Sequence, residues 1–421
     1  MNRYLVKGLQ KASVLILLLG LAGCAPEETL QTKIGILSSS SAQAAAGSAL
    51  IASEQQSGYD QAAKALEMDY PTIQASEGVG ADDVQIAVRT LVEEDDVTAI
   101  VGSSSNEATM KAVSLVNFFQ VPMIVPSASG DNILPSNNLW AFSLSAPSSS
   151  YATYIFGSLI LKPAILPAVE GSPAADENSG RLAIVYEQNT FGESAAVAAA
   201  QAAMSLSMEI TLYQPFKTVS PDPMELKTIA QDVFDSGAHL VYMVNSDPEM
   251  SIKLVGAIKG AYQNGLMPIL VGLEGGFASQ SFLNSAEADG VYLIRQAIDS
   301  ASCPDDIDTV YEAKSYAALF LLDKALTQAE EQKPQQSRFS ALISPQTDEL
   351  PLRREAVRDI LKGINSSVPC MGQVSFDTSG QNKTQTFEIL LIDDALTNNV
   401  SENDFREALE QVIARGVLEM D

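Results

Sequence analysis

Residues 97–129, VTAIVGSSSNEATMKAVSLVNFFQVPMIVPSAS, constrain the fold more than any other stretch of the chain. A short apolar run at 99–101 stops at Gly102 and gives way to Ser103, Ser104, Ser105 and Asn106. Apolar residues then recur at Ala112, Leu115, Val116 and Phe119, the i, i+3, i+4, i+7 spacing of one helix face. A second apolar run at 123–125 ends at Pro126 and opens into Ser127, Ala128 and Ser129. Strand, loop, helix, strand, loop in that order is one βαβ unit of a parallel sheet. Ligands of open α/β sheets sit beyond the carboxyl ends of the strands, where both Ser-rich loops fall. The first loop also leads into a helix N-terminus, whose unpaired N–H groups and dipole favour a carboxylate or other anion. Taken singly, each Ser or Asn here serves equally well as a helix cap or turn residue. Two such loops on neighbouring strand ends point to a binding site.

The same alternation runs through the chain. Strands are expected at 33–37, 72–75 and 140–144 around this unit, with a polar run at 145–150 as a crossing between lobes. A second series then begins: a helix over 154–161, a Pro-, Gly- and acid-rich surface insertion at 163–179, a strand at 182–186, a helix at 193–204 and a strand at 210–213. Asp222, Pro223 and Glu225 signal a helix start, Leu226, Ile229, Ala230, Val233 and Phe234 share its face, and Gly237 ends it. A strand at 240–244 leads into Asn245-Ser246-Asp247, and Pro248 opens a helix that runs to 264–265. A strand at 269–271 runs into Gly272-Leu273-Glu274-Gly275-Gly276, and another follows at 290–293. The last part holds an apolar-faced helix at 310–325, a polar loop at 330–350 and a helix at 357–364. It closes with strands at 372–376 and 386–392, paired around Ser379-Gly380, and a helix at 402–413 capped by Ser401. The expected fold class is α/β: two doubly wound parallel-sheet lobes, with a C-terminal part that returns to both.

At 421 residues with 46% hydrophobic content, the chain has room for two or three domain-sized units with sizeable cores. Its net charge of −27 repels nucleic acid and anionic lipid, so no nucleic-acid partner is expected. The N-terminus departs from this acidity. Arg3, Lys7 and Lys11 precede an apolar run at 14–21 that ends in Leu21-Ala22-Gly23-Cys24. That is a signal peptide over residues 1–23, its apolar run too short to span a bilayer. Leu-Ala-Gly-Cys resembles the bacterial lipobox, which implies cleavage before Cys24, lipid on its sulfur and amine, and a tether over 24–31. Several acyl chains anchor stably where one does not. Beyond Cys24 only Cys303 and Cys370 remain; in an exported protein they form either a disulfide or two free thiols.

Much catalytic chemistry is missing. His239 is the only histidine and stands just before a strand, where a structural or exposed role is expected rather than catalysis. There is no phosphate-binding P-loop, no Gly-x-Gly-x-x-Gly after a strand, and no HExxH, CxxC or EF-hand spacing, so no metal and no cofactor are expected.

With these features in place, the chain resembles the type I periplasmic-binding-protein family, and within it the Leu/Ile/Val-binding lipoproteins of branched-chain amino-acid ABC importers. The resemblance covers roughly residues 32–400. It rests on the unit at 102–129, on IVYEQNTFGES (184–194), on the strand and DPEM at 240–250, on VGLEGG (271–276) and on YEAKSYAALFLLDKAL (311–326). It implies two lobes, 32–146 plus 299–384 and 147–298 plus 385–421, joined by a three-segment hinge near 145–150, 297–300 and 384–386. It implies a ligand carboxylate held at Asn106 and Ser129, with Ser105 beside Asn106 as a substitute hydroxyl and Ser127 offering backbone. A ligand ammonium would fall on Glu274. The family's aromatic positions fall on Ala44, Phe191 and Ser246, and the loss of bulk at two of them implies a roomier pocket. The function implied is a lipid-anchored extracytoplasmic receptor that binds an amino acid, or a related small carboxylate or amide, and delivers it to an ABC permease. A sensory receptor of the same fold is the alternative. A lipid-anchored hydrolase is the third reading, against which stand the single histidine and the missing Gly-x-Ser-x-Gly elbow.

Overall fold

The structure is a computed structural model and describes residues 31–38, 46–68, 70–76, 81–158, 180–217, 223–262, 266–332, 349–393 and 396–418. A first series comprises β1 (Ile34–Ser38), α1 (Ala46–Ala65), β2 (Thr72–Ser76), α2 (Ala81–Arg89), β3 (Ala99–Gly102), α3 (Asn106–Phe119), β4 (Met123–Val125) and β5 (Ala141–Ser143). Its strands lie in the order β2-β1-β3-β4-β5, every neighbour parallel. The chain then crosses into α4 (Ser148–Ser158), β6 (Arg181–Glu187), α5 (Thr190–Ser205), β7 (Glu209–Phe216), α6 (Pro223–Asp235), β8 (Leu240–Val244) and α7 (Pro248–Ala261). β9 (Ile269–Leu273), the short α8 (Gln280–Leu283) and β10 (Tyr292–Gln296) complete this second series. α9 (Val310–Glu331), α10 (Glu349–Gly363) and the hairpin β11 (Asn365–Val368) and β12 (Gly372–Ser375) return to the first lobe. β13 (Phe387–Asp393), β14 (Leu396–Val400) and α11 (Glu402–Leu418) end the chain on the second. The second sheet runs β14-β13-β10-β9-β8-β6-β7, parallel from β7 to β10 and antiparallel across β13 and β14.

Period-two alternation explains why each sheet carries helices on both faces. Ile34, Ile36, Ala99, Val101 and Ile124 point into one core with α1, α9 and α10. Leu37, Ile100, Met123 and Val125 point the other way, against α2 and α3. In the second lobe Leu182, Ile184, Tyr242 and Val271 face α4, α5 and α11, while Ala183, Val185, Val241 and Met243 face α6 and α7. α1 and α9 pack so closely that a Cβ on Gly58 would stand 2.3 Å from the Glu312 carbonyl oxygen. Only glycine permits that approach, and both helices contribute to the site below.

Three segments cross between the lobes and are tied together. Ser143 N donates to Gly380 O (2.8 Å), Ala146 N to Gln296 Oε1 (3.2 Å), Gln296 Nε2 to Leu144 O (3.1 Å) and Gln385 Nε2 to Ser145 O (3.2 Å). Nearby, Cys303 and Cys370 form a disulfide with their Cα atoms 4.4 Å apart.

The C-terminal part corrects the sequence reading in several places. The strands near 372–376 and 386–392 do not pair with each other. β12 pairs β11, while β13 joins β10 in the second sheet. The turn between them is real, since Asp377 Oδ1 accepts from Ser379 N and Gln381 N at 2.8 and 3.0 Å, but it lies within the third crossing. α10 starts inside the stretch read as loop, because Arg353 and Arg354 sit on its buried side and break the apolar pattern. Arg354 Nη2 donates to Val97 O at 2.7 Å. The polar run at 145–150 is shorter as a connection than expected, since α4 begins at Ser148. Cys24, Ala44, Asp222 and the insertion at 163–179 lie outside the described residues.

Candidate functional site

The carboxyl ends of both sheets meet across one cleft, at the places where strand order reverses, β1/β3 and β6/β8. The cleft is partly open to solvent and encloses a small cavity of about 60 Å³. Ser105, Asn106, Ser127, Ser129, Phe191, Ser246 and Glu274 all line it. Each stands on the loop, or in the first helical turn, that follows a strand: β3, β4, β6, β8 or β9. Reasoning from sequence missed Ile51, Asn189 and Tyr311 in the same wall.

On the first lobe, Ser105 caps α3. Its Oγ accepts from Ala108 N (3.2 Å), which leaves its hydroxyl hydrogen to donate. Asn106 staples the two loops, since its Oδ1 accepts from Ser129 N (2.9 Å) and Gly130 N (3.0 Å). The Ser127 hydroxyl accepts a hydrogen bond from buried Gln55 of α1. Ser129 is held through its carbonyl, which accepts from Ser148 N (2.6 Å) and Ser148 Oγ (2.8 Å). Ser129 N–H and the acceptor side of the Ser127 hydroxyl thus already have protein partners.

On the second lobe, Asn189 caps α5 by accepting from Gly192 N (2.8 Å). Phe191 is 4% exposed and forms part of the apolar wall. Ser246 donates through both N and Oγ to Glu187 Oε2, at 2.7 and 2.6 Å. β9 delivers Glu274 to the cleft, and the turn behind it needs Gly275. That residue has φ +102, and a Cβ there would stand 2.6 Å from Asn245 O. Tyr311 grips the same turn, donating to Gly275 O (2.6 Å) and accepting from Gly275 N (2.8 Å).

The environment of Glu274 differs from expectation. A carboxylate awaiting a ligand's ammonium was anticipated; instead Glu274 is already paired with Lys314 of α9. Lys314 Nζ donates to Glu274 Oε1 and to Ser145 Oγ (3.0 Å), and Ser145 Oγ donates in turn to Pro126 O (2.9 Å). Glu274 Oε2 accepts from Tyr151 OH (3.0 Å) and Gln296 N (2.9 Å). Glu274 and Lys314 are 4% and 0% exposed. Burial pushes the Lys314 ammonium below its ordinary range, and the Glu274 charge opposes that. Burial beside Glu274 holds the Tyr151 phenol well above its usual range, so it remains a donor. The signal for Lys314 was present in the sequence: it is a lone cation on a helix face otherwise lined by Ala317, Ala318 and Leu321.

The two lobes touch directly around the cleft. Thr190 N donates to Glu107 Oε1 (3.0 Å), Asp131 N to Ser194 Oγ (3.1 Å) and Gln280 N to Glu54 Oε1 (3.0 Å). The structure therefore has the two lobes in contact over the site. Among the described residues, no group of three or more His, Cys, Asp or Glu side chains is placed to hold a metal ion.

A two-lobed α/β chain with an interlobe cleft and buried crossings has the architecture of a substrate-binding protein. The periplasmic binding protein family model matches residues 31–338, and the chain belongs to that family. Its fold is that of the leucine-binding protein LivK from Thermotoga maritima (TM-score 0.68, 10% identity, covering 88% of this chain and 98% of that one). It is also that of the branched-chain amino-acid binding protein LivJ from Streptococcus pneumoniae with isoleucine (TM-score 0.66, 16% identity, 88% and 99% covered). A Rhodopseudomonas palustris ABC-transporter solute-binding protein in complex with 4-hydroxybenzoate is equally similar (TM-score 0.69, 15% identity, 88% and 96% covered). No curated protein matches the chain. It is thus a periplasmic binding protein by family, and that family consists of extracytoplasmic substrate-binding proteins rather than enzymes.

Proposed function

We propose that the chain is the lipid-anchored receptor of an ABC importer and that it takes a small carboxylate between its lobes. Cys24 would carry the anchor, and a membrane permease would receive the ligand. The observation that carries this reading is the cleft walled by strand-end segments of both lobes, with hydroxyl and amide donors on one side and Phe191 on the other. The Ser105 hydroxyl, the Asn106 side-chain N–H groups and the N-terminus of α3 supply donors for an anion. The isoleucine and 4-hydroxybenzoate bound by the two structural relatives share a carboxylate. Ligand would favour the closed state through contacts to both lobes at once.

Thermal unfolding of the protein against L-amino acids, aliphatic and aromatic acids, short amides and sugars tests this. A carboxylate at 100 times its dissociation constant stabilises by about 2.7 kcal/mol. A shift with carboxylates that is lost in Asn106→Ala supports the reading, and a shift only with sugars or amides refutes the ligand class. Labelling with radioactive palmitate, abolished in Cys24→Ala, tests the anchor.

A further inference from the structure

We propose that Lys314, behind the cleft wall, is a built-in counterion that already neutralises Glu274, so that the cleft selects carboxylates lacking an α-ammonium. This rests on the small-carboxylate reading above and narrows it.

The argument begins with Glu274. One of its oxygens accepts from Lys314, and the other accepts from Tyr151 OH and Gln296 N. Its single charge is already neutralised by a cation that is 0% exposed. A ligand ammonium placed on the same carboxylate would lose its water and stand beside a second cation. Like charges within a few ångströms in a desolvated site oppose each other strongly. Lys314 cannot step aside easily, because α9 is packed along its length against the first-lobe core and a withdrawn ammonium would be buried without a counterion.

Among the described residues, the rest of the cleft supplies no substitute. Glu107, the other carboxylate in its wall, is exposed at the rim, where it accepts from Thr190 N. Glu187, behind the wall, accepts both donors of Ser246. The donors that would meet a ligand carboxylate remain on the Ser105 and Asn106 side. Ile51, Phe191 and Tyr311 offer apolar surface for the remainder of the molecule. The arrangement fits an aliphatic or aromatic monocarboxylate without a second charge.

Calorimetric titration of protein stripped of co-purified ligand, with matched probe pairs, tests the proposal. The pairs are 4-methylpentanoate against L-leucine, phenylacetate against L-phenylglycine, and 3-phenylpropanoate against L-phenylalanine; benzoate stands alone. In every pair that binds, the acid without nitrogen is expected to bind at least tenfold tighter. In Lys314→Met, which frees Glu274, the preference should narrow or invert. Glu274→Gln/Lys314→Met, which removes both charges, should keep the original preference. A wild-type protein that binds an L-amino acid more tightly than its nitrogen-free partner overturns the inference and leaves the carboxylate reading standing. Binding of neither member of any pair, nor of benzoate, overturns the carboxylate reading and the inference with it. The wild-type comparison decides the matter even if Lys314→Met does not fold.

Discussion

Replacing Lys314 by methionine tests whether the ion pair beneath the cleft holds the lobes as described. Methionine has nearly the volume of the lysine stem, so the change removes the charge and leaves little void. What stays behind is a Glu274 carboxylate 4% exposed, with Tyr151 OH and Gln296 N as its remaining described donors. Breaking a buried pair from one side costs about 3–5 kcal/mol, because the other charge is left uncompensated. Glu274→Gln should cost a similar amount by stranding Lys314. The double variant removes both charges together and should lie within about 1 kcal/mol of the wild type, since neutral groups of similar shape need no counterion. For lobes of this size, each single variant should melt on the order of 10 °C lower. Thermal and urea unfolding of the four proteins gives the coupling energy directly. Single losses below about 1 kcal/mol that simply add in the double variant would mark the pair as a solvated, weakly coupled contact and refute the reasoning.

Other predictions follow from single sites. Reduction of Cys303–Cys370, which spans 67 residues, should lower stability by about 4 kcal/mol on the chain-entropy account; unchanged melting in a reductant contradicts it. His239 is the only histidine, and burial with the neighbouring Arg181 charge lowers it from 6.5 to about 4. The folded chain therefore binds fewer protons than the unfolded chain between those values, and stability should fall as pH drops from 6.5 towards 4. Its ring resonances in untagged protein should remain unshifted down to pH 5, and titration near 6.5 would oppose this. Glu54, at the seam between the lobes, has its carboxyl raised from 4.5 to about 7, chiefly by burial. Here the folded chain binds more protons, so this contribution weakens as pH rises from 4.5 to 7. Glu54→Gln should stabilise the protein by about 2 kcal/mol at pH 8 after allowance for its partial exposure, and hardly at all at pH 4. An equal gain at both pH values would contradict the assignment.

Much of the fold was legible because parallel strands buried on both faces write themselves as short apolar runs. The runs at 99–101, 123–125 and 240–244 coincide with β3, β4 and β8 to within a residue. The loops after them were legible as a site for the same reason, since strand ends in a doubly wound sheet face one way. Pairing partners were less legible. The alternation near 372–376 and 386–392 identifies strands, but whether they pair with each other or with β11 and β10 depends on contacts far along the chain. Arg353 and Arg354 hid the start of α10 because a buried guanidinium that reaches a carbonyl reads as a solvent-facing residue. Ser127 and Glu274 were legible as cleft residues, but the internal partners of their side chains, Gln55 and Lys314, lie 72 and 40 residues away and belong to helices that read as ordinary packing elements.

The most direct test of the account is a crystal structure of the protein grown with a nitrogen-free monocarboxylate that stabilises it. The ligand is expected in the cleft, its carboxylate against Ser105 and Asn106, its apolar part against Phe191, and Lys314 still paired with Glu274. A ligand bound elsewhere, or one whose arrival separates Lys314 from Glu274, would contradict the account.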